Sequence, residues 1–224
     1  MWLNSVFIIF FQDIKAKRVL FSAIGVACFF LTYKTVFEES IVVVAYGSQA
    51  YTNCILPAFS LLFTILLKVS FGSMRIFFYK SRKSFFRHLM IRSFLLVCLF
   101  TVFYVATIII FCIYAQQRIE WGHLIWGSVT MLSCLWMLST FATLLFVKWE
   151  KIILTMISFL VVLLIDMTMD VYYMKSIIMN RIFLFAELKF SLSELLLQVA
   201  PMWGVSILLF IIGEWVMIRK NFYV

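Results

Sequence analysis

The chain has 224 residues, 65 % of them hydrophobic and only 13 % charged, with a mean hydropathy of +1.09 and a formal net charge of +9. An average soluble domain carries about a quarter of its residues as charged side chains, so this composition excludes that class and points to a polytopic membrane protein. The positive charge is not read as a nucleic-acid footprint, because a basic patch has that meaning only on a surface free to meet phosphates.

Two prolines, seven glycines, twelve methionines and twenty-six phenylalanines fit helices in lipid better than barrel strands, which would alternate in polarity at every second residue. The expected class is an all-α integral membrane protein forming one domain over residues 1–224. Residues 1–18, MWLNSVFIIFFQDIKAKR, place an apolar run before a basic cluster. A cleaved signal peptide has the reverse order, and residues 2–11 are too few to cross a core of about 30 Å. They read as an interfacial helix lying along the membrane.

Six apolar stretches follow, at residues 19–37, 45–67, 93–115, 124–147, 152–173 and 202–218. Each is near the roughly 20 residues that a spanning helix needs. Pro57, inside the second, reads as a tolerated kink. Between the second and third spans lies a long basic connection, 69–92. Its part from Phe77 onward, FFYKSRKSFFRHLMIRS, holds six basic side chains and no acid. On a helical wheel Phe78, Phe85, Phe86 and Leu89 gather on one side and Lys80, Lys83 and Arg87 on another, an imperfect amphipathic helix. The links between spans three and four and between four and five are short, so those helices are expected to be antiparallel neighbours. Residues 174–201 carry apolar positions at helical spacing, with Ser191 as a cap and Glu194 three residues on. They are expected to form two short helices that dip into the outer leaflet.

Cytoplasmic connections carry an excess of lysine and arginine. With the N-terminus inside, fourteen of the nineteen Lys and Arg fall on one side of the membrane and five on the other. The expected topology therefore has six spans and both termini in the cytoplasm.

The sequence contains no GxxxxGK[ST] phosphate loop, so ATP hydrolysis by the chain itself is not expected. Its two histidines, His88 and His123, lie in different connections and make no zinc site. The five cysteines fall inside apolar runs and read as packing residues. Asp166 and Asp170 share a face near the outer end of span five. Paired carboxylates in a membrane invite a functional reading, but LIDMTMD lacks the settings of an intramembrane aspartyl protease. A wet vestibule, or pairing with Arg181 or Lys175, is the favoured reading. Glu214, near the inner end of span six, either pairs with a basic group at the inner surface or faces a subunit interface on a translocation path.

The layout resembles the membrane subunit of an ABC transporter, a half-permease of the type-two exporter permease family. The resemblance rests on FFQDIKAKR before span one, the long basic-aromatic loop between spans two and three, the two short helices between spans five and six, and the six-span count. It implies that 1–18 is an elbow helix. It also implies that 69–92 is a coupling segment docking on an ATPase through Phe77, Phe78, Lys80, Lys83, Phe85, Phe86 and Arg87. No cofactor would be bound by this chain, ATP and Mg residing on the ATPase partner. A second permease copy or a paralogous permease would complete the assembly in the lipid bilayer, and the style of sequence is similar to peptide-export and bacteriocin-immunity permeases. Two other classes remain open from the residues: a stand-alone membrane immunity or regulatory protein, and an intramembrane hydrolase.

Overall fold

The computed structural model describes residues 25, 41–46, 50, 55–70, 81–149, 151, 153–157, 161, 165 and 192–219. The expected elbow helix at 1–18, nearly all of span one, most of span five, and residues 174–191 lie outside the described residues. So do five of the candidate site residues: Phe77, Phe78, Lys80, Asp166 and Asp170. Every regular element among the described residues is a helix: α1 (Ile41–Ala45), α2 (Leu56–Ser70), α3 (Arg82–Tyr114), α4 (Trp121–Trp149) and α5 (Leu192–Arg219). Three of them, α3, α4 and most of α5, are long and apolar enough to cross a membrane. They coincide with expected spans three, four and six, and the chain is a membrane protein of helical type.

α2 has 15 residues, roughly 22 Å of helix, and starts at Leu56. Pro57 thus sits in the first turn, where its missing N–H deprives the helix of nothing, so it does not act as a kink within the described helix. α3 is capped by Ser81, whose side chain accepts from the Ser84 N–H at 3.1 Å. It then runs without interruption for 33 residues. The stretch read as a separate amphipathic helix is, from Arg82 onward, the first turns of the spanning helix itself. No glycine or proline stands between Arg82 and Tyr114 to divide them. α3 ends in a left-handed residue, Gln116 at φ 55°, with the Gln117 N–H donating back to Cys112 O at 3.0 Å. The Gln117 side chain meanwhile accepts from the Ile41 N–H at the start of α1.

α5 departs from expectation at Pro201. The sequence places a short helix before this proline and a span after it, whereas the structure has one helix of 28 residues passing through. Proline costs a helix about 3 kcal/mol, but each unpaired backbone group in hydrocarbon costs several. Keeping the ladder intact on both sides of one missing bond is therefore the cheaper solution. The side of α5 bearing Pro201 is exposed.

Cross-contacts fix the helix directions. Phe94 meets Trp136 and Phe85 and Phe86 share a cluster with Val147, so α3 and α4 are antiparallel. Trp203 bonds Ser133 and Met217 clusters with Val147. Partners rise together along both chains, so α4 and α5 are parallel, and the chain between them must return to the opposite end of the bundle. The main core joins α1 to α4 and Met202 of α5, with Phe59, Phe100 and Tyr104 in ring contact at its middle.

α1 is fastened by two tyrosines. Tyr104 donates to the Ala45 carbonyl at 2.6 Å, supplying one of the acceptors that a helix end leaves open. Tyr46 lies edge-on to Tyr104 and meets Ser128 Oγ at 2.9 Å. The Ser128 hydroxyl already donates to Leu124 O, which makes Tyr46 the donor. This ring lies directly on Gly127, where a Cβ would run into it.

Candidate functional site: the basic end of the bundle

The helix directions bring the end of α2, the start of α3 and the ends of α4 and α5 to one end of the bundle. Of the described lysines and arginines, Lys68, Arg82, Lys83, Arg87, Arg92, Lys148, Lys151 and Arg219 lie toward that end and only Arg118 lies at the other. The charge asymmetry read along the chain is thus an asymmetry in space. α3 is longer than a bilayer core requires: 33 residues make roughly 50 Å of helix against about 30 Å of hydrocarbon. The excess is basic.

Three helix ends are closed by an apolar plug of Phe85, Phe86, Met90, Val147 and Met217, all buried. Phe86, 1 % exposed, lies on Gly213, whose missing side chain makes room for the ring, and meets Phe210 at 5.7 Å between centroids. Phe85 is 3 % exposed. Within the chain, the apolar partner surface of the two rings is α5 and the end of α4.

Beside the plug, Glu214 joins α5 to α3 by ion pairs. Lys83 Nζ lies 3.2 Å from its Oε2 and Arg87 Nε donates to its Oε1. The carboxylate side chain is 15 % exposed, while Lys83 and Arg87 are 44 % and 51 % exposed. Four residues on a helix bring Lys83 and Arg87 to one face, where a single carboxylate can take both. Of the two readings of Glu214, the pairing with basic groups describes its geometry. Solvent weakens such a pair, and its contribution to stability is about 1 kcal/mol.

Around this brace lie Arg82, Lys148 and Arg219, all exposed. The Arg219 guanidinium lies 3.9 Å from the centre of the Trp215 ring and Lys148 Nζ lies 6.0 Å from that of Trp149. Arg92 is a further cation of α3, 3 % exposed one helical turn inward of His88. The sequence reading did not single out Gly213, Phe210, Val147, Met217 or Arg92. Gly213 beside Glu214 carried a usable signal, since a glycine flanking an acid in a span marks a close approach.

Deeper in the membrane, α4 and α5 meet through Trp203, whose indole N–H donates to Ser133 Oγ at 3.0 Å while Ser133 donates to Val129 O. Phe94 is inserted edge-on against both Trp136 and Trp203. At the opposite end Glu120 and His123 are paired at 2.9 Å. Among the described residues no three His, Cys, Asp or Glu side chains converge to hold a metal ion, and Cys98, Cys112 and Cys134 form no disulfide. The chemistry that the described residues assemble at the basic end is charge pairing and mechanical fastening of helix ends. No protein-family model, curated protein or solved structure matches the chain.

Proposed function

We propose that the chain is the membrane-spanning permease subunit of an ABC-type transporter, moving an amphipathic or hydrophobic cargo with energy from a separate ATPase. The observation that carries this reading is the overlong α3. Its basic first turns stand beyond the apolar core and are fastened to α5 by Phe86 on Gly213 and by Glu214 on Lys83 and Arg87. A force applied at the start of α3 therefore moves two spanning helices together, as a coupling element requires. The docking segment of this reading is 69–92, and in its described part, the start of α3, Phe85 and Phe86 are seated on α5 and the end of α4. Parallel α4 and α5 support a fifth crossing between them, and the placement of the cations supports the basic end as the cytoplasmic one.

The test is site-directed cross-linking from Arg82→Cys in native membranes, with Ile125→Cys at the opposite half of α4 as control. A partner captured from position 82 alone, which binds a photoreactive ATP analogue and whose ATPase activity responds to the chain, is the expected result. ATP hydrolysis by the purified chain after removal of every co-purifying ATPase would overturn the proposal. So would absence of any nucleotide-binding partner at position 82, which would return the chain to a stand-alone binding role.

A further inference from the structure

Pro201 divides α5 into two parts that are held differently. Inward of it the helix is fastened throughout. Trp203 donates to Ser133 and meets Phe94, Phe86 rests on Gly213 and meets Phe210, Glu214 takes Lys83 and Arg87, and Met217 enters the apolar plug. Outward of it, the arm 192–200 turns Gln198 into the bundle, where the side chain is 6 % exposed and its amide oxygen Oε1 lacks a hydrogen-bond partner. α4 has the matching defect at Thr130, 2 % exposed, whose hydroxyl also lacks a partner. Thr130 stands three residues before Ser133, hence on the face of α4 that meets Trp203. Trp203 follows Ser133 by 70 positions, and Met217 follows Val147 by the same interval. That register puts Gln198 within two residues, about 3 Å of helix rise, of the level of Thr130.

Two buried polar groups without hydrogen bonds therefore stand at one level, on neighbouring helices. Leaving such a group unpaired shifts an equilibrium against the conformation that buries it by roughly five- to a hundredfold. A conformation that wets both groups escapes this penalty. The backbone at the division is suited to reaching one. Pro201 brings no N–H to the helix, and sharp bends in helices concentrate at proline and glycine. Gly204, almost one turn on, is exposed and has open space where a side chain would stand. From these observations we infer that α5 is a hinged helix: its outer arm, 192–200, swings away from α4 about Pro201 and Gly204, and water enters the opened seam to reach Gln198 and Thr130. The inner part stays fastened, so the seam opens only at the end of the bundle opposite the basic one. The hinge requires neither an ATPase nor a cargo, and its test stands apart from the transporter reading.

The experiment uses the full chain in nanodiscs, with pairs of spin labels carried by non-natural residues so that the native cysteines remain, and reads distance distributions by pulsed electron resonance. The outer pair stands at Ile125 of α4 and Leu196 of the arm, two exposed positions. The inner pair stands at Leu145 and Ile218. In the otherwise native chain the outer pair should give two distances, the longer one from the open seam, and the inner pair one. Gly204→Ala, whose added methyl meets no atom, should cut the longer component about fivefold by stiffening the helix, and Pro201→Ala should cut it at least as much. Gln198→Met with Thr130→Val should cut it roughly tenfold, because the closed seam then buries no unpaired group. The single inner distance, retained in every variant, separates these effects from misfolding. One outer distance in the otherwise native chain, or a longer component that Pro201→Ala and Gly204→Ala both leave unchanged, would overturn the hinge. A second distance in the inner pair as well would mean that α5 moves as a whole and would overturn the division at Pro201. A longer component undiminished in the Gln198 and Thr130 double variant would overturn the entry of water to these two groups.

Discussion

Replacing Phe86 by alanine, alone and together with Gly213→Ala, measures how firmly α3 is fastened to α5. The ring is 1 % exposed, so its loss opens a void of roughly 80 to 100 Å³, and about 24 cal/mol per Å³ gives about 2 kcal/mol. Values of about 3–5 kcal/mol for phenylalanine in water-soluble cores also contain a transfer term. That term shrinks here, because a separated helix keeps the ring in lipid. Gly213→Ala alone drives a methyl into the far edge of the ring and should cost about 1–3 kcal/mol by overpacking. In the double variant the same methyl enters the void, so the two costs should not add, with a coupling of at least about 1 kcal/mol. The assay is detergent-denaturant unfolding in mixed micelles, followed by energy transfer between labels on α3 and α5. Additivity within about 0.5 kcal/mol would show that Phe86 does not lie on Gly213 and would remove the fastening on which the proposed coupling role rests.

Three further outcomes follow from local geometry and are read by the same unfolding measurement. Gly127→Ala should destabilise by about 2–3 kcal/mol, more than Gly213→Ala, because the added methyl meets the root of the Tyr46 ring as well as its sides; a neutral result would place Tyr46 elsewhere. Thr130→Val should leave stability unchanged or raise it by about 1 kcal/mol, since the Thr130 hydroxyl is buried without a hydrogen-bond partner; a clear loss would reveal a bound water or other acceptor. Gln116→Gly should stabilise by about 0.5–1 kcal/mol by relieving a left-handed backbone that disfavours side chains; a loss would mean that the Gln116 side chain has a role.

Three of the six expected spans correspond to long helices in the described residues, because length and hydropathy are properties that a sequence states outright. The tight link between α3 and α4 was legible for the same reason. The start of α3 was not: charge falls off near Arg92, but the backbone cap is Ser81, a small polar residue among several in KSRKS. Charge marks where a helix leaves the membrane, and caps mark where it begins, and here the two differ by more than two turns. The wheel placed Phe85 and Phe86 with other apolar residues but could not say what that face meets, and the answer, Gly213, lies 127 positions after Phe86. The same distance in sequence hid the partners of Glu214. The boundary drawn between residues 201 and 202 failed because an interrupted backbone in lipid costs more than the one hydrogen bond that Pro201 removes.

The hydroxyl groups of α4 have a directional consequence. Ser128, Ser133, Ser139, Thr140 and Thr143 each donate to a carbonyl of their own helix. A hydroxyl has one proton to give, so these groups face their neighbours as acceptors only. A helix that meets these hydroxyls must therefore bring the proton, as Tyr46 and Trp203 do. The two sides of each such bond are unequal. Trp203→Phe leaves Ser133 still bonded to Val129, whereas Ser133→Ala strands an indole N–H in the bilayer. At these five positions α4 therefore discriminates between neighbours by polarity of the hydrogen bond, accepting donors and rejecting bare carbonyls, without a charged residue at the contact.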